Sequence, residues 1–288
     1  MKQGPLAELL IERFETMPRQ LQMASRYVLD HPDDVALISM REQANRAGVS
    51  HSTMMRLART LGLKSYEDIR ALYARELRNP HAEADFTTPI GIEGVEQGVF
   101  SRVGSMSDTL AAQVASLGEY ISAKQLLAAG DTLAGARRLF CLGVEAEHAA
   151  AHYFAHALSL LGEDVALLDS GGGTGVGPLR HAGEGDAILV IGLEPYARVT
   201  VEVARKAVDL GVTLVAVTDS PVSPLARAAH QSLIVTARSQ SGFCSVVPAI
   251  AAVELLAGLI ADQRGIDVEG ALSRAKKELA AFEVYWKR

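Results

Sequence analysis

The chain has 288 residues, of which 49% are hydrophobic and 22% are charged, and its formal net charge is −6. This length allows two domains of ordinary size, and the composition is typical of a soluble globular protein. No apolar run reaches the roughly 18 residues that a membrane-spanning helix needs, and acidic residues interrupt the apolar N-terminal stretch, so we expect neither a membrane span nor a secretory signal. Cys141 and Cys244 lie far apart in apolar surroundings and are expected to be buried, reduced thiols of a cytoplasmic protein.

Charge is distributed unevenly along the chain. Residues 1–78 contain 12 Lys/Arg and 10 Asp/Glu, whereas residues 79–288 contain 16 and 24, so the two parts carry net charges of +2 and −8. Within residues 39–64 the charged side chains are Arg41, Glu42, Arg46, Arg56, Arg59 and Lys64. A local positive patch in an acidic protein is where a polyanion would bind, although short basic stretches often form solvated helix faces.

Residues 18–78 have the spacing of several short amphipathic helices. Ser39 precedes one helix that Gly48 ends, and Ser50 precedes a second helix that stops at Gly62. Serine is a common residue at helix starts, and glycine is common just beyond helix ends. The short link "AGVS" between the two helices predicts a helix-turn-helix. We therefore expect residues 1–78 to form a helical DNA-binding domain.

The second of these helices, residues 51–61, separates apolar from polar side chains. Met54, Leu57, Ala58 and Leu61 fall on one face and are expected to pack inward. The opposite face and the helix start carry the candidate DNA-binding residues Ser50, His51, Ser52, Thr53, Arg56 and Arg59. Arginine can bind guanine in the major groove, and hydroxyls near a helix start can contact phosphates. The alternative is a solvent-facing helix of a regulatory module that does not read DNA.

The rest of the chain falls into three parts. Residues 79–124 have the composition of a linker followed by a connecting helix, with the helical pattern broken near Gly118 and Gly130. Residues 125–265 alternate helices with five apolar strands, within 137–143, 164–169, 187–193, 213–219 and 232–237, and residues 266–288 are expected to form a C-terminal helix. Apolar strands alternating with helices predict a doubly wound, five-stranded parallel sheet whose ligands bind beyond the carboxyl ends of the strands.

Three histidines recur at a spacing of four on the helix that follows the first strand: His148, His152 and His156. Neutral imidazoles one helical turn apart can chelate zinc or nickel. No H-E-x-x-H sequence is present, however, and no third ligand group can be identified downstream, so we predict no metal site. His148 is expected at the rim of the ligand site, and His152 and His156 are expected to be buried packing residues.

The segment "LQMASRYVLDHPDDVALISMREQANRAGVSHSTMMRLARTLGLKSYEDIRALYARELR" resembles the N-terminal domain of the RpiR family of bacterial transcriptional regulators. The matching features are the "HP-D-VA" segment, the serine that opens the second helix, "AGVS-ST--R", "LGL" and the "Y-D" start of the next helix. The resemblance implies that this helix-turn-helix binds double-stranded operator DNA as a dimer. It assigns the recognition role to Ser50, Ser52, Thr53 and Arg56, whereas Arg59 is proposed from the helical face alone.

Residues 125–262 resemble the SIS (sugar isomerase) domain that RpiR-family proteins carry behind the DNA-binding unit. The resemblance rests on "LFCLGVEAEHAAA", "AILVIGLEPYARVTVEVARKAVDLGVTLVAVTDSPVSPLA" and "SVVPAIAAVELL". It implies an α + α/β protein in which a helical helix-turn-helix domain precedes a doubly wound, five-stranded parallel-sheet SIS domain. It also implies a small-molecule effector, a sugar or sugar derivative, and pairing into a homodimer or homotetramer. We expect no cofactor.

The loop after the third strand departs from this family. There, a Ser-x-Ser-Gly-x-Thr sequence usually holds a sugar phosphate, whereas "GLEPYA" places Gly192, Glu194, Pro195 and Ala197 at the corresponding positions. Two like unit charges about 4 Å apart repel by about 4 kcal/mol at an effective dielectric constant of about 20, so added carboxylates disfavour a phosphate. Either the effector is neutral or cationic, or an anion is held differently, by Arg198, Thr200, Ser241 and Ser245. The candidate effector-binding residues are Gly143, Glu145, Glu147, His148, Gly192, Glu194, Tyr196, Arg198, Thr200, Ser241 and Ser245.

These observations predict a transcriptional regulator whose SIS domain senses a small metabolite and changes its affinity for an operator. One alternative is an SIS-fold sugar-phosphate isomerase in which Glu145, Glu147 or His148 transfers protons. A second alternative is a ligand-independent DNA-binding dimer, in which the former pocket serves only for dimerisation. The intact helix-turn-helix and the altered phosphate loop favour the regulator over the isomerase.

Overall fold

The computed structural model describes residues 5–77, 95–168, 175–238, 244–282 and 284. The chain divides into two compact units, of which the first comprises Met1–Val99 with Ser220–Val222 and the second comprises Phe100–Asp219 with Ser223–Arg288. The predicted linker at 79–94 lies outside the described residues. Among the helices that the structure describes, none has the length and apolar content needed to cross a membrane.

The first unit is helical. Its helices are α1 (Pro5–Arg13), α2 (Arg19–Asp30), α3 (Pro32–Leu37), α4 (Met40–Arg46), α5 (His51–Thr60) and α6 (Tyr66–Leu77). The helices expected between residues 18 and 78 are thus confirmed, whereas α1 was not predicted. Leu10 of α1, together with Phe14 just after it, is buried in the core of this unit, so the N-terminal segment is part of the folded domain.

Local sequence explains where the two helices of the helix-turn-helix begin and end. The Ser39 hydroxyl accepts a hydrogen bond from the backbone N–H of Glu42, and the Ser50 hydroxyl accepts one from Thr53, at 3.3 Å and 3.1 Å. Each hydroxyl satisfies an N–H that has no partner inside its helix. Gly48, in the turn between the helices, has a φ of +64°, which glycine adopts without steric cost.

The second unit contains a five-stranded sheet and the remaining helices. These elements are α7 (Val95–Ala115), α8 (Tyr120–Ala134), β1 (Leu139–Leu142), α9 (His148–Leu160), β2 (Val165–Leu167), β3 (Ala187–Ile191), α10 (Arg198–Asp209), β4 (Thr213–Thr218), β5 (Gln231–Ile234), α11 (Val247–Gln263) and α12 (Val268–Ala281). The predicted break at Gly118 is confirmed, but the one at Gly130 is wrong because this residue lies inside α8. A Cβ at Gly130 would lie 3.1 Å from Leu259, so this glycine allows α8 and α11 to pack closely.

All pairings in the sheet are parallel, and the strand order is β2-β1-β3-β4-β5. The side chains of β1, β3 and β4 alternate between two buried clusters, one on each face of the sheet. Phe154 of α9 and Leu256 of α11 belong to one cluster, and Ala204 of α10 belongs to the other. Helices therefore cover both faces, which confirms the predicted doubly wound architecture. Ligand sites in such sheets lie at the carboxyl ends of the strands.

Candidate functional site

Helix α5 has one buried face and one exposed face, as its sequence predicts. Met54, Leu57 and Ala58 are fully buried in the core of the first unit. His51, Ser52, Arg56 and Arg59 are exposed. The apolar face therefore fixes the helix in the domain, while two arginines, a histidine and a hydroxyl remain available to a partner.

Hydroxyl groups cluster at the start of α5. The Ser50 hydroxyl lies 2.8 Å from that of Ser52 and 2.9 Å from that of Thr53. Ser50 and Ser52 are exposed, whereas Thr53 retains only 9% of its accessible surface. Ser50 and Ser52 thus present oxygen atoms beside the positive end of a helix, while Thr53 contributes mainly to the internal hydrogen-bond network.

Carboxylates compensate only part of the positive charge around α5. Arg46 forms ion pairs with Asp34 and Glu42, each with an N···O distance of 3.1 Å. Arg41, Arg56, Arg59 and Lys64 are exposed, and no acidic side chain pairs with them in the described part of the chain. Four basic groups are therefore free for an external anion.

Helix α1 contributes to the position of α5 in a way that the sequence analysis did not foresee. Arg13 donates a hydrogen bond of 2.7 Å from Nη1 to the backbone carbonyl of Thr60, the last residue of α5. The carbonyl groups of a last helical turn have no intrahelical partner, and a guanidinium there also complements the helix dipole. Arg13 is thus a positioning residue for α5.

The second unit contains a cavity of about 300 Å³ at the carboxyl edge of the sheet. Its walls, which define the sheet-edge cavity, are Leu142, Gly143, Val144, Glu145, His148, Leu168, Gly175, Val176, Val199 and Val203. The lining is mostly apolar, and its charged or titratable groups are Glu145 and His148. Gly143, Glu145 and His148 are candidates from the sequence analysis, whereas the aliphatic walls were not identified because they carry no chemical signature.

Glu145 adopts a backbone conformation that non-glycine residues seldom adopt. Its φ of +54° lies in the left-handed region, which costs a side-chain-bearing residue about 1 kcal/mol or more. The residue opens the short 3₁₀ turn Glu145–Glu147 that leads into α9, and its side chain is exposed. Glu145 is also one of the residues that line the sheet-edge cavity.

The loop between β3 and α10, residues 192–197, is held by internal acceptors. The Asp219 carboxylate accepts a hydrogen bond of 3.1 Å from the backbone N–H of Glu194 and one of 2.7 Å from the Tyr196 hydroxyl. The carboxylate of Glu147 lies close enough to the backbone of Leu193 for that backbone to lower its pKa. The peptide bond between Glu194 and Pro195 is cis. Asp219 was not among the predicted residues, although its position directly after β4 is one where ligand-binding groups are expected.

Burial and neighbouring carboxylates change the proton affinity of groups beside this loop. Burial raises the pKa of Glu147, and the negative charges of Glu145 and Asp219 raise it further, against the hydrogen bonds from backbone groups. Partial desolvation of the thiol, followed by the charges of Asp219, Glu147 and Glu194, raises the pKa of Cys244 to about 11. Cys141 is buried in β1 as predicted, but the prediction for Cys244 is wrong because this residue is exposed in the segment before α11.

Several other predicted effector residues have structural surroundings that limit their roles. A Cβ at Gly143 would lie 2.4 Å from a backbone oxygen of Glu147, and one at Gly192 would lie 2.5 Å from Leu225, so both glycines permit close packing. Arg198 is exposed and pairs with Glu202 at 2.5 Å. Thr200 is buried, the Ser245 hydroxyl accepts a weak hydrogen bond of 3.4 Å from Val247, and Ser241 lies outside the described residues.

The row of histidines at positions 148, 152 and 156 lies on the surface of the second unit rather than in its core. His152 and His156 are both exposed, with parallel rings whose centroids are 6.3 Å apart. The prediction that they are buried packing residues is therefore wrong, because α9 buries the face that carries Ala151, Phe154 and Leu158 instead. Among the described residues, no three His, Cys, Asp or Glu side chains cluster in a way that could hold a metal ion.

Comparisons with known proteins agree with this two-part organisation. The family described as "Helix-turn-helix domain, rpiR family" matches residues 6–80, and the SIS domain family matches residues 132–258. An uncharacterized HTH-type transcriptional regulator of Caldanaerobacter subterraneus is 23% identical over 277 residues, covering 93% of this chain and 94% of its own. The HTH-type transcriptional regulator HexR of Pseudomonas aeruginosa is 24% identical over 283 residues, covering 95% of each chain.

Solved structures show the same fold. The sugar isomerase domain of an RpiR transcription factor from Sphaerobacter thermophilus superposes with a TM-score of 0.52 at 25% identity, covering 66% of this chain and 99% of that domain. NanR of Vibrio vulnificus, solved in complex with ManNAc-6P, superposes with a TM-score of 0.56 at 20% identity, covering 96% of this chain and 99% of NanR. The chain belongs to the RpiR family of transcriptional regulators, with a helix-turn-helix domain followed by an SIS domain.

Proposed function

We propose that this regulator binds operator DNA through α5 and that a small molecule in the sheet-edge cavity changes the affinity for the operator. In this proposal residues 1–78 form the DNA-binding domain and residues 125–265 form the effector domain. The observation that supports the DNA-binding role most directly is the exposed face of α5, where Arg56 and Arg59 have no carboxylate partner among the described residues. A helix of this kind fits the major groove of duplex DNA.

The residues around α5 have different roles in this interface. Arg56 and Arg59 contact base edges, where each can donate two hydrogen bonds to a guanine. Ser50 and Ser52 contact phosphates at the helix start, and Arg41 and Lys64 add charge beside them. His51 lies at the front of the exposed face. Thr53 supports this arrangement through its hydrogen bond to Ser50.

A homodimer is the assembly that best suits this mode of binding, with a homotetramer as a larger form of the same pairing. Two helix-turn-helix units related by a two-fold axis match a palindromic operator with half-sites about one helical turn apart. Because the target is chromosomal DNA, the regulator acts in the cytoplasm. An effector then changes DNA affinity by binding one arrangement of the pair more tightly than another.

The effector we propose is a sugar or a sugar derivative. The fold supports this class, because NanR, which shares it, was solved with ManNAc-6P. The volume of the sheet-edge cavity, about 300 Å³, suits a small metabolite. Glu145 and His148 supply hydrogen-bonding groups to its lining, and the aliphatic walls offer contacts to an apolar part of the bound molecule.

A second candidate function is isomerisation of a sugar phosphate. The observation that favours it is the raised pKa of Glu147, since a carboxyl group with a raised pKa suits acid–base chemistry. We propose that the protein is not an enzyme, because its curated relatives over nearly the whole chain are transcriptional regulators. Assays for aldose–ketose conversion distinguish the two functions: turnover would support the isomerase, and its absence together with DNA binding would support the regulator.

The experiment that tests the proposed function starts from a random-sequence pool of duplex DNA. Sequences that the full chain selects are labelled, and their affinity is measured by fluorescence anisotropy with and without a panel of sugars and sugar derivatives. The proposal expects a palindromic consensus and at least one compound that changes affinity by about fivefold or more, the usual range of allosteric coupling. Failure to enrich any sequence contradicts the DNA-binding role, and a panel without effect supports the ligand-independent dimer.

A further inference from the structure

Two backbone N–H groups at the start of the β3–α10 loop have acceptors inside the protein, and a third position has no N–H. Gly192 donates to the carbonyl of Val217 at 3.1 Å. The N–H of Glu194 donates to the Asp219 carboxylate at 3.1 Å, and the backbone of Leu193 lies close enough to the Glu147 carboxylate to lower its pKa. Residue 195 is proline, which has no N–H. Backbone N–H groups at such a loop are what would bind an anion, and Gly192, Glu194 and Pro195 offer none.

The acceptor of the Glu194 N–H is a carboxylate, that of Asp219. Asp219 also accepts the Tyr196 hydroxyl, so its carboxylate is held on both oxygens by the loop. The loop leads directly into α10, whose first turn supplies Val199 to the sheet-edge cavity. Glu147 likewise follows Glu145, which lines the same cavity. A ligand in the cavity therefore lies next to an anion position that the protein has filled with its own carboxylates.

We infer that Asp219, assisted by Glu147, occupies the anion position of the β3–α10 loop and makes the effector domain select ligands that carry no phosphate group. The ligand class is a neutral or cationic small molecule with an apolar part: a non-phosphorylated sugar derivative or amino sugar meets this description. Glu145 and His148 are the hydrogen-bonding groups of the cavity available to it, and the valine and leucine walls contact its apolar part. This inference rests on the proposed function in taking the cavity as the effector site.

The test compares inorganic phosphate binding to the full wild-type chain and to three variants by isothermal titration calorimetry at constant ionic strength. Asp219→Ala frees the Glu194 N–H and removes a charge, and Asp219→Ala combined with Glu147→Gln removes both charges. Asp209→Ala is the matched control, since Asp209 is an exposed aspartate at the far end of α10. Thermal unfolding of each variant verifies that the fold is retained, and Asp219→Asn serves in place of Asp219→Ala if the latter does not fold.

Wild type and Asp209→Ala are expected to bind phosphate no more tightly than a Kd of about 10 mM, and the double variant at least about tenfold more tightly, because its like charges are gone. A wild-type Kd below about 1 mM, or a double variant no tighter than Asp209→Ala, would overturn the inference.

A second experiment identifies the ligand class by thermal-shift measurements on the wild-type chain. It compares two matched pairs of compounds: glucose with glucose 6-phosphate, and glucosamine with glucosamine 6-phosphate. Stabilisation by an unphosphorylated member supports the inference, and stabilisation by a phosphorylated member alone overturns it. Failure of the proposed function can be distinguished from failure of this inference. DNA selection and anisotropy test the proposed function, whereas calorimetry without DNA tests phosphate exclusion.

Discussion

The Tyr66 hydroxyl donates a hydrogen bond of 2.5 Å to the side-chain oxygen of Gln43 inside the helical unit. Both side chains are buried. The amide nitrogen of Gln43 in turn donates to the backbone carbonyls of Val35 and Ile38, at 3.2 Å and 2.9 Å. One glutamine in the first helix of the helix-turn-helix therefore connects α3, α4 and α6, and its polar atoms are satisfied without water.

This network predicts that Tyr66→Phe destabilises the helical unit. The substitution keeps the ring but leaves the Gln43 oxygen buried without its donor, which costs about 1–3 kcal/mol of unfolding free energy. Differential scanning calorimetry of the full chain measures the effect, with Ser52→Ala as a control on the exposed face of α5. A Tyr66→Phe variant as stable as the control would show that the hydrogen bond contributes nothing.

A pair of substitutions at Ser50 separates helix capping from DNA binding. Ser50→Ala removes the acceptor of the Thr53 N–H and is expected to lower stability by about 1 kcal/mol. Ser50→Asp retains a capping oxygen and suits the helix dipole, so stability is kept, but its charge repels a phosphate at the helix start. Calorimetry measures the stability of each variant, and anisotropy measures its affinity for DNA. We expect Ser50→Asp to bind DNA more weakly without losing stability. Unchanged DNA binding by Ser50→Asp would contradict the phosphate contact.

The ion pairs of Asp186 predict how the stability of the second unit depends on pH. Its side chain is fully buried and pairs with Arg138 at 2.7 Å and Arg137 at 3.0 Å. Hydrogen bonding to Arg138 holds the pKa of Asp186 far below its usual range, although burial opposes this shift. Because the folded-state pKa is depressed, the stabilisation is fully present above the unfolded-state pKa of about 3.9 and is lost as the pH falls below it.

Asp186→Asn is accordingly expected to lower stability at neutral pH by about 3 kcal/mol and to reduce the further loss below about pH 4. Urea unfolding of the full chain between neutral and acidic pH measures both effects. Asp209→Asn, at an exposed aspartate, is the matched control. A pH dependence in Asp186→Asn equal to that of wild type would contradict the assigned role of this carboxylate.

Residues that follow a simple period were predicted well from sequence. The buried and exposed faces of α5 follow the 3.6-residue repeat, and the strands of the sheet are continuous apolar runs. Position along the chain was enough to place Glu145 and His148 at the carboxyl edge of the sheet, where the cavity lies.

The errors concern residues whose surroundings are set by distant parts of the chain. Gly130 was taken as a break, but α11 packs against it and keeps it within a helix. His152 was expected in the core because α9 is rich in alanine, which does not reveal the face that is buried. Asp219 accepts a hydrogen bond from the N–H of Glu194, which lies 25 residues away along the chain. No local sequence pattern predicts that contact.

Binding of the selected duplex by Arg56→Ala, Arg59→Ala and the double variant tests the central claim most directly. Each arginine that contacts a base is expected to contribute about 1–3 kcal/mol, so each single variant binds about 5- to 150-fold more weakly and the double variant at least about thirtyfold more weakly. Arg46→Ala is the matched control, because Asp34 and Glu42 already balance its charge, and it should bind within about threefold of wild type. Undiminished binding by the double variant, measured by anisotropy at one salt concentration, would contradict the account.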